Sequence, residues 1–222
     1  ALKVLEDEGI NFIKENCPEV EPQMQVAEIK RGVIISVSAG NCVVCTGKKQ
    51  WQCLLGPELT MTQKSDISTG DNVNFAVMPD DTAIVQSVYP RRSKLSRPDP
   101  TRNGVERVLA ANVDIAVIVA SVKKPLLKPS LIDRYLIAAQ KGNIEPIICV
   151  NKVDLLKNEA ERQYELEVLE PYKQINLKIV ECSASTRFGI DELTSLLEGK
   201  LCVFVGHSGT GKSTLVNALE PG

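Results

Sequence analysis

The sequence contains one histidine and one tryptophan in 222 residues, and aromatics make up only 4% of it. With His207 as the sole imidazole, a histidine-rich metal centre is excluded. Long apolar runs are missing as well: stretches such as 115–120 and 201–205 fall far short of the roughly 20 residues that span a bilayer, so no membrane partner is expected. Nor does charge of one sign dominate. Lys and Arg total 26 against 28 Asp and Glu, a formal net charge of −2 that gives no global attraction to polyanions. Any nucleic-acid contact must therefore use a local basic patch. The seven cysteines are odd in number and scattered at 17, 42, 45, 53, 149, 182 and 202, which argues against a disulfide framework and for a reducing compartment. Cys42 and Cys45 have zinc-knuckle spacing, but no second such pair follows, and buried strand thiols are the simpler reading. The chain begins at Ala1 with no basic, apolar signal segment before the fold, a start expected of either a processed or a trimmed chain.

What is present changes texture along the chain. Leu2, Leu5, Ile10 and Ile13 recur near helical spacing, giving a helical extension over 1–24. Residues 25–90 hold short β-rich runs at 32–38, 41–46, 50–55 and 82–88, separated by turn residues such as Ala39-Gly40-Asn41 and Thr69-Gly70-Asp71. About five short strands in this length suit a small antiparallel barrel, of which the OB-fold is a common nucleic-acid binder. Residues 91–112 look like a basic linker. Its first part, 91–107, carries six basic residues and two prolines, and Arg91, Arg92, Lys94 and Arg97 suit either a solvated connection or an RNA-contacting arm. From 113 to 222 solid apolar runs at 114–121, 146–151, 177–182 and 201–206 alternate with helical stretches at 129–141, 158–172, 189–198 and 211–219. Strands this apolar, separated by helices, predict a parallel sheet covered on both faces.

The chemistry lies where those strands end. Gly206, His207, Ser208, Gly209, Thr210, Gly211, Lys212 and Ser213 match GxxxxGK[ST] between a strand and a helix, the context a P-loop requires, with Thr214 following. The glycines let backbone N–H groups turn toward phosphates, Lys212 reaches the outer phosphates, and Ser213 ligates Mg²⁺. Asn151, Lys152, Val153 and Asp154 form NKxD at another strand end. There Asp154 can accept from guanine N1–H and its 2-amino group, while adenine would leave that carboxylate unpaired. Asn151 would brace neighbouring loops, and the Lys152 stem would cover the base. Ser183, Ala184 and Ser185 follow a third strand, where a backbone N–H can meet guanine O6. The motifs run NKxD, SAS, P-loop, whereas Ras-like GTPases place the P-loop first, so a circularly permuted topology is expected. His207 suits a proton-donating or water-orienting role beside phosphate, or is simply a variable loop residue.

Together the barrel-like region, the basic arm, the segments 110–119, 131–136 and 151–155, and the late P-loop resemble the RsgA (YjeQ) family over about residues 25–222. The resemblance implies an OB-fold domain, a permuted GTPase domain, slow GTP hydrolysis with Mg²⁺, and late maturation of the small ribosomal subunit through its rRNA. GTP and GDP are then ligands, a monomer is expected, and the compartment is bacterial cytoplasm or a chloroplast or mitochondrial interior. Family members continue past the P-loop helix with a switch loop, DxxG and a zinc-binding C-terminal domain. Those parts lie beyond Gly222, so the sheet is expected to lack strands, no zinc ligands are assigned, and no water-activating residue can be named. The competing reading is a non-catalytic RNA-binding assembly scaffold whose nucleotide site is regulatory. An ATP-using enzyme is disfavoured by Asp154.

Overall fold

The computed structural model describes residues 28–47, 49–56, 59, 67–99 and 104–220, so the helix expected over 1–24 lies outside the described residues. Strands β1 (Glu28–Ser38), β2 (Asn41–Thr46), β3 (Lys49–Leu55), β4 (Asn72–Val77) and β5 (Ala83–Val88) close into a barrel in the order β1-β2-β3-β5-β4. Strand β1 serves two neighbours. Its residues 33–38 pair with β2 and 28–33 with β4, and a bulge between Ile34 and Ser36 bends it from one to the other. Parallel pairing of β3 with β5 completes an OB-like barrel. Period-two alternation turns Ile34, Val44, Val73, Phe75 and Val85 inward to fill the barrel interior.

Alternation also settles the Cys42–Cys45 pair. Three positions apart on β2, the two side chains leave opposite faces: Cys42 is buried in the barrel core, and Cys45 donates outward to the Gly47 carbonyl at 3.0 Å. Cys42 sits directly across from Cys53, and burial pushes both thiols up, to about 12 and about 11.

The segment expected to be an irregular linker forms an antiparallel ribbon of β6 (Lys94–Pro98) and β7 (Glu106–Ala111). Its order comes from tertiary contacts. Leu95 is buried in the α/β core, the Lys94 N–H donates to the Gly142 carbonyl at 2.9 Å, and the Ala111 N–H donates to Thr69 of the barrel at 2.9 Å. The arm's charges are largely committed to this junction. Arg91 holds the fully buried Asp71 through two bonds of 2.7 and 2.8 Å, Arg92 bonds Asp114 at 2.5 Å, and Lys94 pairs with Glu106 at 3.0 Å. Arg97 is exposed.

The α/β domain contains β8 (Ile115–Ser121), α1 (Pro129–Lys141), β9 (Glu145–Asn151), α2 (Glu159–Leu166), α3 (Glu170–Gln174), β10 (Lys178–Glu181), α4 (Ile190–Leu197), β11 (Cys202–Val205) and α5 (Lys212–Leu219). Its four strands are parallel in the order β10-β9-β8-β11. Every residue of β8 is buried, because the two faces go into different cores. Ala116, Ile118 and Ala120 meet Ile132, Leu136 and Ala139 of α1; Ile115, Val117 and Val119 meet Leu193 of α4 and Leu215 of α5. Among the described residues no helix is long and apolar enough to cross a membrane.

Candidate nucleotide-binding site

Parallel strands send all their C-terminal ends to one edge of the sheet, and the three motifs lie there, after β9, β10 and β11. The loop from Gly206 to Gly211 must pass close under its neighbours. Gly206 has φ +146, and a Cβ there would lie 2.2 Å from the Val119 carbonyl oxygen; at Gly211, with φ +91, it would lie 2.4 Å from Asn151 Nδ2. Only glycine meets both demands, close approach and left-handed backbone. Immediately after Gly211, α5 begins, so its unpaired N–H groups and positive dipole end face the loop.

Asn151 ties the edge together. Buried almost completely, it donates from Nδ2 to the Thr210 carbonyl at 2.9 Å and accepts at Oδ1 from the Ala184 N–H at 3.3 Å, so one side chain joins all three loops. Lys152, with φ +67, aims its ammonium at the carbonyls of Gly209 and Lys124, 2.6 Å from each. Lys212 donates to the carbonyls of Gly206 and His207 at 3.0 and 2.8 Å, and the Thr210 hydroxyl donates to His207 at 3.0 Å. Ser183 and Ser185 share a hydrogen bond of 3.0 Å that shapes the third loop. Val153 is buried, whereas Ser208, Gly209, Ser213 and Thr214 are exposed.

Asp154 and the head of α5 line one cavity of about 210 Å³, together with Asn151, Lys152, Ala184, Ser185, Gly211 and Thr214. Residues 60 positions apart in the chain are thus brought to one cleft. The RNA candidates are not. Arg91, Arg92 and Lys94 belong to the barrel–ribbon junction described above. His207 donates from Nδ1 to the Ser208 carbonyl at 2.8 Å, since a carbonyl only accepts. Sequence reasoning missed Lys124 and Pro125, which lie against Lys152 and Gly209. No local pattern marks them, since their contacts are with loops distant in the chain.

A parallel sheet with a glycine loop, NKxD and a following serine loop at one edge, in this chain order, defines a circularly permuted P-loop GTPase domain behind an OB-like barrel. Comparison with known proteins agrees: the profile of the family described as RsgA GTPase matches residues 88–222, and the chain belongs to that family. It is 34% identical over 190 residues to the Small ribosomal subunit biogenesis GTPase RsgA of Geobacillus sp., covering 86% of this chain and 61% of that protein. Its counterpart in Pectobacterium carotovorum is 40% identical over 159 residues, 70% of this chain and 44% of that one. The crystal structure of YjeQ from Thermotoga maritima superposes with TM-score 0.70 at 30% identity, over 88% of this chain and 66% of that one. YloQ, a circularly permuted GTPase, superposes with TM-score 0.65 at 28% identity, over 87% of this chain and 65% of that one. The chain thus spans about three fifths of the length of the Geobacillus relative.

Proposed function

We propose that this protein binds GTP at the β9–β10–β11 edge, hydrolyses it, and uses the cycle to time its stay on the small ribosomal subunit. The observation that carries this reading is that Asp154 and Ala184 share one cavity with Gly211 and Thr214, so the loops suited to a guanine open directly onto the end of the glycine loop and the first turn of α5. Asp154 and a backbone N–H of the Ser183–Ser185 loop read the base; Gly206, Ser208, Gly209, Thr210, Gly211 and Thr214 present backbone or hydroxyl donors to the phosphates, and Lys212 supplies charge. The exposed Ser213 hydroxyl, one residue past Lys212, suits a Mg²⁺ ligand; the ion would neutralise charge developing between the outer phosphates. The relatives carry the name Small ribosomal subunit biogenesis GTPase, which supports the subunit and its RNA as partner. The compartment is then one where ribosomes are assembled, bacterial or organellar.

The test is GTP turnover with and without purified small subunits. The timer reading expects stimulation well above twofold, with Lys212→Ala inactive; stimulation below about twofold favours the scaffold reading instead. ATP binding as tight as GTP would overturn the base assignment.

A further inference from the structure

The loop between β8 and α1, residues 122–128, lies outside all three motifs, yet it grips the NKxD segment on both sides of Asp154. Ahead of Asp154, the Lys124 carbonyl takes the Lys152 ammonium at 2.6 Å. Beyond it, Lys123 donates to the Leu155 carbonyl at 3.4 Å and forms an ion pair with Glu161 of α2. Glu161 also accepts from the Lys157 N–H at 2.6 Å, so one carboxylate holds both the loop and the chain that leaves the tight turn Val153–Leu155. Helix α2 places that carboxylate. Asn158 caps the helix by accepting from the Glu161 N–H at 2.9 Å, which turns the Glu161 side chain back toward Lys157.

The Lys123 and Glu161 side chains are 25% and 26% exposed. The bonds from Lys123 and from the Lys157 N–H hold the Glu161 carboxyl below the ordinary carboxylate value, so it is ionised near neutrality. Lys124 and Lys152 both stand in the left-handed backbone region, at φ +52 and +67, which a lysine keeps only where its surroundings impose it. The Ser121 hydroxyl, donating to the Lys123 carbonyl at 2.5 Å, and the Val122 N–H, donating to the Asn151 carbonyl at 3.2 Å, complete the seating of the loop. Among the described residues nothing bonds the Asp154 carboxylate itself, so its aim depends on the turn that carries it.

We propose that Lys123 and Glu161 are positioning residues for guanine recognition: their ion pair clamps the Val153–Leu155 turn and thereby sets Asp154 where it meets the base. Neither lines the 210 Å³ cavity, so they act through Asp154. The inference rests on the reading of Asp154 as the base-selecting carboxylate and names what holds it.

The experiment titrates GDP, which is not turned over, into the protein and its variants by calorimetry, with a thermal melt of each to show that the fold is intact. Lys123→Met keeps the aliphatic stem and removes the charge; GDP affinity should fall roughly fivefold, the upper end of what an ion pair near the surface supplies. Glu161→Gln should cost the same, the double variant no more than either alone, and Lys123→Arg next to nothing. In an Asp154→Ala background Lys123→Met should cost no further affinity, a result that general loosening of the fold would not give. Lys173→Met, which breaks the exposed pair with Glu170 on α3, should leave affinity unchanged. Unaltered affinity in Lys123→Met, additive losses in the double variant, or a fivefold loss that persists in the Asp154→Ala background overturns the inference. Should Lys123→Met fail to fold, Glu161→Gln, which keeps an acceptor for the Lys157 N–H, carries the same comparison. Absence of GDP binding by the unaltered protein would sink the nucleotide reading and the inference together; firm binding that Lys123→Met does not weaken sinks the inference alone.

Discussion

At the scale of single residues, the site depends on side chains that close geometry across loops. Among the described residues Asp154 is the one carboxylate lining the 210 Å³ cavity, so under the proposed function its hydrogen-bonding pattern decides the base. Asp154→Asn exchanges one acceptor oxygen for a donor. GTP affinity should fall by roughly 100-fold, the scale of replacing a charge-assisted pair of hydrogen bonds by a mismatched donor, while xanthosine triphosphate, with a carbonyl in place of the 2-amino group, should bind better than it does to the unaltered protein. Competition titrations with both nucleotides decide this, and parallel losses for the two would count against the base contact. The glycines of the P-loop and the NKxD residues were legible in the sequence because their spacing encodes backbone geometry directly. Asn151 was legible only as a brace. Its two partners, Thr210 and Ala184, became apparent once the strands had brought their loops together.

At the scale of elements, periodicity located the helices well. The stretch expected over 129–141 is α1, and those over 189–198 and 211–219 enclose α4 and α5. The stretch at 158–172 breaks instead into α2, a tight turn at Glu167–Leu169 and α3, as Pro171 cannot continue the hydrogen-bond ladder. Strand β4 was not read from its residues: Asn72 and Asn74 are poor strand formers, and only pairing with both β1 and β5 fixes them. The ribbon β6–β7 was hidden for a related reason, being polar, basic and ended by Pro98, with order imposed by Leu95 and by contacts at both ends. Asp114 marks where this ribbon meets the sheet. Its carboxylate takes Arg92 on one oxygen and the Leu201 N–H, at 2.8 Å, on the other, and those bonds hold its pKa below the ordinary carboxylate value. A depressed pKa contributes stability that is present above the unfolded value and is lost as pH falls through the folded one. Asp114→Asn should therefore flatten the acid limb of the stability–pH curve and leave its dependence near neutrality unchanged, which chemical denaturation between about pH 2 and 7 measures.

At the scale of the whole molecule, the junction fastens barrel and α/β domain together. Asp71 is fully buried beneath Arg91, the Asn112 amide donates to the Gly70 carbonyl at 2.8 Å, and the Ser93 hydroxyl donates to Val113 at 2.5 Å. Removing the guanidinium strands a buried carboxylate, at a cost of about 3–5 kcal/mol. In the unaltered protein, GTP at about 100 times its dissociation constant adds about 2.7 kcal/mol by mass action, and barrel and α/β domain should shift upward together in a thermal melt followed by Trp51 fluorescence and by far-ultraviolet dichroism. In Arg91→Ala the Trp51 signal should move to lower temperature and shift less with GTP than in the unaltered protein. A barrel signal that follows the nucleotide undiminished would show that the remaining bonds, from Ala111 to Thr69 and from Asn112 to Gly70, carry the coupling.

The pairing of β11 with β8 joins Cys202 to Ile115 across 87 positions of chain. During synthesis the guanine-reading loops therefore leave the ribosome well before the phosphate-holding one, and the protein emerges with half a cradle already shaped. Under the proposed function, ligand affinity is acquired only when β11 slots beside β8 and Gly211 slides beneath Asn151, so that a newly made molecule cannot engage nucleotide before β11 and the loop after it have been translated.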